Sequence, residues 1–160
     1  MATSECRAEP VPVSYNSEAM EAERRPDLVF MRQGKPVAVV EAKGRPVPSS
    51  FADAVRHQLR HYATATSSPW SILVDPDRTT IFRSHELTRP WASFSTREVL
   101  RTANIPPEAV GERVLLEAID RWVHELPRHR EILDRHPELQ EFVEDMSDGI
   151  SSTEEWPSRI

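Results

Sequence analysis

Cysteine, long apolar runs and glycine are all scarce in this chain, and each shortage excludes a class of protein. Its 160 residues include one cysteine, Cys6, which cannot form a disulfide within the chain. A lone cysteine favours a reducing compartment, so we predict a cytoplasmic protein. No apolar run approaches the roughly 18 residues of a membrane span, and residues 1–13 lack the apolar centre of a secretory signal.

The four glycines are scattered rather than grouped into a phosphate-binding loop, so ATP hydrolysis is not expected from this polypeptide. There is no Gly-x-Ser-x-Gly motif and no cysteine–histidine arrangement that would indicate nucleophilic catalysis. Lysine is also rare, since the chain has two lysines beside eighteen arginines.

The length predicts one domain, large enough to bury a core. The strand and helix patterns described below predict that this domain is of the α/β class. We assign residues 1–13 to a flexible N-terminus, 14–105 to the core, 106–146 to a helical C-terminal extension and 147–160 to a disordered acidic tail. The helices of the extension could cap the sheet, bind a partner or shield a basic surface. Capping is the default, because amphipathic helices beside a small sheet usually complete its core.

Charge is distributed unevenly along the chain. The net charge of −6 argues against a general nucleic-acid binder. However, residues 1–50 are neutral, residues 51–105 carry +2 and residues 106–160 carry −8. DNA contact is therefore expected on the first two thirds of the chain, where Arg56 and Arg60 are candidate DNA-binding residues. Such binding would be weak and sensitive to salt.

Two short strands, at Leu28–Met31 and Val37–Val40, are predicted by their β-branched and aromatic residues and by the glycine and proline that bound them. Asp27 precedes the first strand, and Glu41 and Lys43 follow the second. Since side chains alternate between the two faces of a sheet, the turn between the strands decides whether the two carboxylates meet.

A three-residue connection, Arg32–Gly34, is our first choice for this turn. In that register Asp27 faces Val39 and lies diagonal to Glu41 on the same sheet face, with about 5–8 Å between their Cβ atoms. A two-residue turn would instead send the two carboxylates to opposite faces. A shared site therefore requires an odd loop length or a bulge.

A helix is predicted over residues 51–65, with Ser49 or Ser50 as its N-cap. Its apolar stripe at helical spacing comprises Phe51, Val55, Leu59 and Tyr62. Gln58 lies at the edge of this stripe, one turn before Tyr62. A glutamine in that position indicates that its amide has a polar partner.

In their order, these motifs resemble the PD-(D/E)XK nuclease superfamily, and in particular the nuclease domain at the N-terminus of type I restriction endonuclease subunit R. The resemblance covers about residues 24–83 and rests on Arg25-Pro26-Asp27, Glu41-Ala42-Lys43, Gln58-x-x-x-Tyr62 and the hairpin-like segment 70–83. It implies a restriction-endonuclease-like mixed central sheet flanked by helices, with the helical C-terminal segment added.

The resemblance further implies a magnesium site, which manganese could also fill, with Asp27 and Glu41 as metal ligands. Magnesium takes oxygen ligands and keeps several waters, so two carboxylates and a phosphate suffice. Lys43 would orient the attacking water, stabilise developing charge and contact DNA. Gln58 and Tyr62 would position the site or touch the DNA backbone. These five residues are the predicted catalytic set.

A further acid on a preceding helix is common in this family. Glu18 and Glu21 share one face of a short predicted helix, so either is a candidate third metal ligand. Acids in a first helical turn are more often solvated partners of the helix dipole.

The sequence thus predicts a magnesium-dependent DNA endonuclease of restriction or defence type. Its expected partners are DNA and either a helicase or specificity subunit or a second copy in a homodimer. No membrane partner is expected. The alternative is a catalytically inactive module of the same fold that binds DNA or another protein.

Overall fold

Six strands and five helices make up the part of the chain that the computed structural model describes, which is residues 26–108, 111–147 and 149–154. The strands are β1 Leu28–Arg32, β2 Lys35–Ala42, β3 Trp70–Val74, β4 Arg78–Arg83, β5 Ala92–Ser95 and β6 Ile150–Thr153. The helices are α1 Ala52–Thr66, α2 Thr96–Thr102, α3 Glu112–Glu125, α4 Arg130–Arg135 and α5 Leu139–Met146. Two 3₁₀ turns, Ser49–Phe51 and Leu126–Arg128, precede α1 and follow α3.

The strands form one mixed sheet in the order β5-β4-β3-β2-β1-β6. β2 and β3 are parallel and are joined by α1, whereas every other neighbouring pair is antiparallel. The predicted α/β class with a mixed sheet and flanking helices is confirmed. The predicted segment 70–83 is a hairpin of β3 and β4.

The turn between β1 and β2 differs from our first choice. It has two residues, Gln33 and Gly34, both with positive φ (54° and 77°), as a type I′ turn requires. Immediately after the turn Met31 pairs with Pro36, but the next pair joins Phe30 to Ala38. Val37 is therefore the extra residue of a β-bulge, and it restores the parity that the two-residue turn alone would have lost.

Helices cover both faces of the sheet. One face packs against α1 through a cluster that includes Val29, Val39, Leu59 and Tyr62. The other face forms a larger cluster with residues of α2 to α5. Beyond the bulge, the apolar residues of β1 and β2 alternate between the two clusters, because both faces of these central strands are buried.

The C-terminal helices cap the sheet rather than form a separate unit. Buried apolar residues on both sides of the predicted boundary at 105/106 belong to one cluster. Phe142 of α5 packs edge-on against Trp70 of β3, with ring centroids 5.2 Å apart. Trp70 Nε1 also donates to Asp145 Oδ2 at 2.8 Å, and Arg83 pairs with Glu141. Residues 106–146 thus complete the core that the sheet begins.

The prediction of a disordered tail from residue 147 is wrong for Ile150–Thr153. This segment is β6, and it pairs antiparallel with β1 from Val29 to Arg32. Ser152 Oγ also hydrogen-bonds Asp120 Oδ1 of α3 at 2.9 Å. Its polar composition suggested disorder, but the open edge of β1 offers backbone partners that composition does not reveal.

The predicted N-cap is wrong for α1 and confirmed for α2. α1 covers the predicted span within one residue, but neither Ser49 nor Ser50 caps it, and Phe51 is its N-cap residue without a side-chain cap. The apolar residues at helical spacing over 112–125 predict a helix there, and α3 has those bounds. The pattern Ser95-Thr96-Arg97-Glu98 predicts Ser95 as an N-cap, and Ser95 does cap α2 by accepting from Arg97 N at 3.2 Å.

None of the helices in the described part of the chain has the length and apolar content needed to cross a membrane. Cys6, residues 1–13 and the predicted helix carrying Glu18 and Glu21 lie outside the described residues.

Phe142→Ala tests whether the C-terminal helices belong to the same cooperative unit. Because Phe142 is fully buried against Trp70, its removal should lower the free energy of unfolding by about 3–5 kcal/mol in one transition, measured by urea denaturation. Glu144→Ala, at an exposed position of the same helix, should change it by less than about 0.5 kcal/mol. A separate early transition that leaves the main one unchanged would contradict the single core.

Candidate functional site

Asp27 is held at the entrance to β1 by the backbone of the neighbouring strand. Its N–H donates to Val40 O at 3.1 Å, and its carboxylate Oδ2 accepts from Ala42 N at 2.9 Å. The side chain of Asp27 is therefore tied to the peptide that links Glu41 to Lys43.

The bulge determines that Asp27 and Glu41 share a face. Beyond the bulge Leu28 pairs with Val40, and Val29 with Val39. Val29 and Val39 both belong to the cluster beneath α1, so the alternation places Asp27 and Glu41 on that face as well. The predicted shared face is present, but the register is two residues from the expected one, so Asp27 lies nearest to Glu41 rather than to Val39.

Glu41 and Lys43 form a largely buried ion pair. The distance from Lys43 Nζ to Glu41 Oε2 is 2.9 Å, and the two side chains are 30% and 3% exposed. A carboxylate this buried would cost several kcal/mol to desolvate without a cationic partner. Lys43 supplies that charge while keeping part of its surface in contact with solvent.

A hydrogen-bonded chain leads from this pair into the helix. Lys43 Nζ donates to Gln58 Oε1 at 3.3 Å, and Gln58 Nε2 donates to the hydroxyl of Tyr62 at 2.9 Å. The two bonds fix the orientation of the Gln58 amide, which confirms the expectation of a polar partner. Tyr62 is 1% exposed, so of its two predicted roles only positioning fits its burial.

The charges around Lys43 set its protonation. Burial acts to lower the pKa of Lys43, but the charge and hydrogen bond of Glu41, with smaller contributions from Asp27 and Glu112, outweigh it. The resulting pKa lies above the ordinary lysine value of 10.5. Lys43 is therefore an ammonium donor at neutral pH and not a general base.

Two structural neighbours of the site were not anticipated. Asp75, just after β3, accepts from Val47 N at 3.0 Å through Oδ2, and from Asp77 N and Arg78 N at 2.8 Å through Oδ1. It thereby fastens the loop that follows Lys43 to the β3–β4 turn. The Asp75-Pro76-Asp77 sequence is a turn signal, but nothing in it names Val47 as a partner.

The start of α3 is the second such neighbour. A Cβ atom added at Gly44 would lie 3.8 Å from Glu112 N, so the helix begins beside the residue that follows Lys43. Glu112 is far from Lys43 in sequence, and no local pattern brings the two together.

The donor set fits a hard divalent cation in chemistry, though it is small. Asp27 and Glu41 supply carboxylate oxygens from neighbouring strands, which is the ligand type that magnesium prefers. The described residues contain no cluster of three or more histidine, cysteine or acidic side chains placed to hold a metal. Magnesium would therefore need water, backbone or substrate oxygens to complete its shell. Glu18 and Glu21, the candidate third ligands, lie outside the described residues.

The predicted DNA contacts lie on α1 and beside it. Arg60 is exposed, whereas Arg56 is half-buried and pairs with Asp53 on the same helix. Lys43 faces the Glu41 carboxylate with part of its side chain open to solvent. These three cations lie on one side of the sheet, the side that α1 covers.

Comparison of the chain with protein-family models, curated proteins and solved structures gives no match. The resemblance to a nuclease family therefore stays a prediction drawn from the motifs.

Glu41→Gln tests the electrostatic origin of the Lys43 ammonium. Without the Glu41 charge, desolvation should dominate and the pKa of Lys43 should fall. With lysine labelled at Cε and Nζ, an NMR titration should show two signals, because the chain has only Lys35 and Lys43. Lys35→Arg assigns them. An unchanged Lys43 titration in Glu41→Gln would show that the pair does not control its charge.

Proposed function

We propose that the protein is a magnesium-dependent DNA endonuclease of restriction or defence type, with a restriction-endonuclease-like fold. Asp27, Glu41, Lys43, Gln58 and Tyr62 form its catalytic set. The chain would work with a helicase or specificity subunit that supplies DNA targeting, or as a homodimer.

One observation carries the proposal. Motif residues that are separated by up to 35 positions in sequence meet at one end of β2, where Lys43 contacts both Glu41 and Gln58. A solvated strand end would not need a buried carboxylate, an ammonium and an oriented amide in one network. The residues that the motifs single out therefore belong to one network of contacts. This arrangement supports the proposal of a phosphodiester-cleaving site.

The roles follow from the contacts. Asp27 and Glu41 would hold the ion, which when bound supplies polarisation of the scissile phosphate and activation of a water. Lys43 would donate to the attacking water or to a phosphate oxygen, since it remains a cation and keeps an exposed flank. Gln58 accepts from Lys43 and is itself oriented by Tyr62, so the pair holds the ammonium in place.

Cleavage of supercoiled plasmid in the presence of magnesium or manganese tests this function. Asp27→Ala should remove a metal ligand, and Lys43→Ala should remove the ammonium that stabilises the developing negative charge. Each should therefore lower the cleavage rate by at least about 100-fold. Agarose gels of nicked and linear product provide the measurement, and urea unfolding should confirm that the variants remain folded.

The chain provides a matched control for the lysine variant. Lys35 is the only other lysine and lies exposed at the start of β2. Lys35→Ala should therefore cleave at the wild-type rate. If folded Asp27→Ala and Lys43→Ala also cleave as wild type, the assigned site is wrong.

A second function is a nuclease-fold module that binds DNA without cutting it. One observation favours it, because Lys43 already provides a cation 2.9 Å from Glu41 and partly fills the need for a metal. This alternative expects no magnesium binding by calorimetry and no cleavage, with DNA affinity retained. Heat of binding that is lost in Asp27→Ala would exclude it.

A further inference from the structure

Phe51 lies in phase with the buried stripe of α1 but is not buried itself. Val55, Leu59 and Tyr62 face the sheet and are 8%, 0% and 1% exposed, whereas Phe51 is 50% exposed. Phe51 is therefore the one residue of the predicted apolar stripe that is not buried. Phe51 and Trp91 are the two large apolar side chains that are exposed among the described residues.

Phe51 is exposed because it lies beyond the end of the sheet. α1 runs antiparallel to β2, and Gln58 already lies level with Lys43, just past the last residue of β2. Seven residues of helix carry Phe51 roughly 10 Å further in the same direction. β2 and its parallel neighbour β3 end at Ala42 and Val74, so neither of these two strands extends beneath the ring. Phe51 thus overhangs the edge at which Lys43 and Gln58 meet.

The segment that carries Phe51 is held in place. Lys43 N donates to Val74 O at 2.9 Å, Val47 N to Asp75 Oδ2 at 3.0 Å, and Phe51 N to Pro48 O at 2.9 Å. Pro46 and Pro48 further restrict the backbone. An exposed ring on a fixed support loses little conformational freedom when it binds a partner.

The sequence segment that carries Phe51 is basic, and of its cations Lys43 is paired with Glu41. Residues 43–60 contain four bases and one acid, a net +3 in a chain of −6. The acid, Asp53, is paired with Arg56. Arg45 is exposed on the same loop, between Lys43 and Phe51. An exposed aromatic ring on a segment that also exposes an arginine can stack a base while the guanidinium contacts a neighbouring phosphate.

We propose that Phe51 is a stacking platform for an unpaired nucleobase, so that the preferred substrate is DNA with a single-stranded segment at the site. Arg45 contacts the backbone of that strand. In a duplex the faces of the bases are covered by their neighbours, whereas an unpaired base offers its face to an aromatic ring. This inference rests on the proposed function in placing the bound strand beside Asp27 and Glu41.

The test measures binding apart from cleavage. Fluorescence anisotropy in EDTA compares a labelled 20-nucleotide single strand with a blunt duplex of the same sequence, using the full chain. Phe51→Ala should weaken single-strand binding about 10-fold, the order expected for one stacked base, and change duplex binding less than about 2-fold. Phe51→Trp should restore the affinity, whereas Phe51→Leu, which keeps an apolar side chain, should not.

Arg45→Ala provides a separate reading. It should reduce the slope of log affinity against log salt by about 0.7 for the single strand, as the loss of one phosphate contact predicts. Phe51→Ala should leave that slope unchanged, because stacking releases no counterions.

Three results would overturn the inference. They are unchanged single-strand binding in Phe51→Ala, equal affinity in Phe51→Leu and Phe51→Trp, or equal losses on single strand and duplex. The proposed function fails separately: a wild-type protein that binds in this Phe51-dependent way but never cleaves would reject the endonuclease and keep the platform. Active cleavage with Phe51-independent binding would do the reverse.

Discussion

A buried carboxylate beside a partly exposed ammonium is the interaction on which the rest of the site depends. Glu41 has given up nearly all contact with water, which is tolerable only with a compensating charge within hydrogen-bonding distance. Lys43 provides that charge and is itself held by Gln58, whose amide Tyr62 orients. Each polar side chain in this hydrogen-bonded series is held by the next. The network therefore fixes the end of β2 relative to α1.

Asp27 shares the sheet face of this network only because one residue bulges. The type I′ turn of Gln33 and Gly34 would by itself place Asp27 and Glu41 on opposite faces. Val37 adds the residue that returns them to the same face, and the ladder beyond it is regular as far as Leu28. Turn and bulge together satisfy the requirement that the sequence pattern could state but not resolve.

The other described elements support the sheet from its opposite face and along the edge of β1. The C-terminal helices pack on one face of the sheet, and α1, which carries Gln58 and Tyr62, packs on the other. β6 covers the edge of β1, which would otherwise present unpaired backbone groups. At the end of β2, Phe51 is half exposed, and the loop before it is restrained by the hydrogen bond from Val47 to Asp75.

The sequence by itself determined the features that depend on local periodicity and residue chemistry. These are the α/β class, the spans of α1 and α3, the β3–β4 hairpin, and the choice of Asp27, Glu41, Lys43, Gln58 and Tyr62 as a group. Only the tertiary structure decided the bulge at Val37, the strand at Ile150–Thr153, the anchoring of Val47 by Asp75 and the exposure of Phe51. Each of these depends on where a distant strand ends or lacks a partner, and such long-range facts leave no periodic trace in the local sequence.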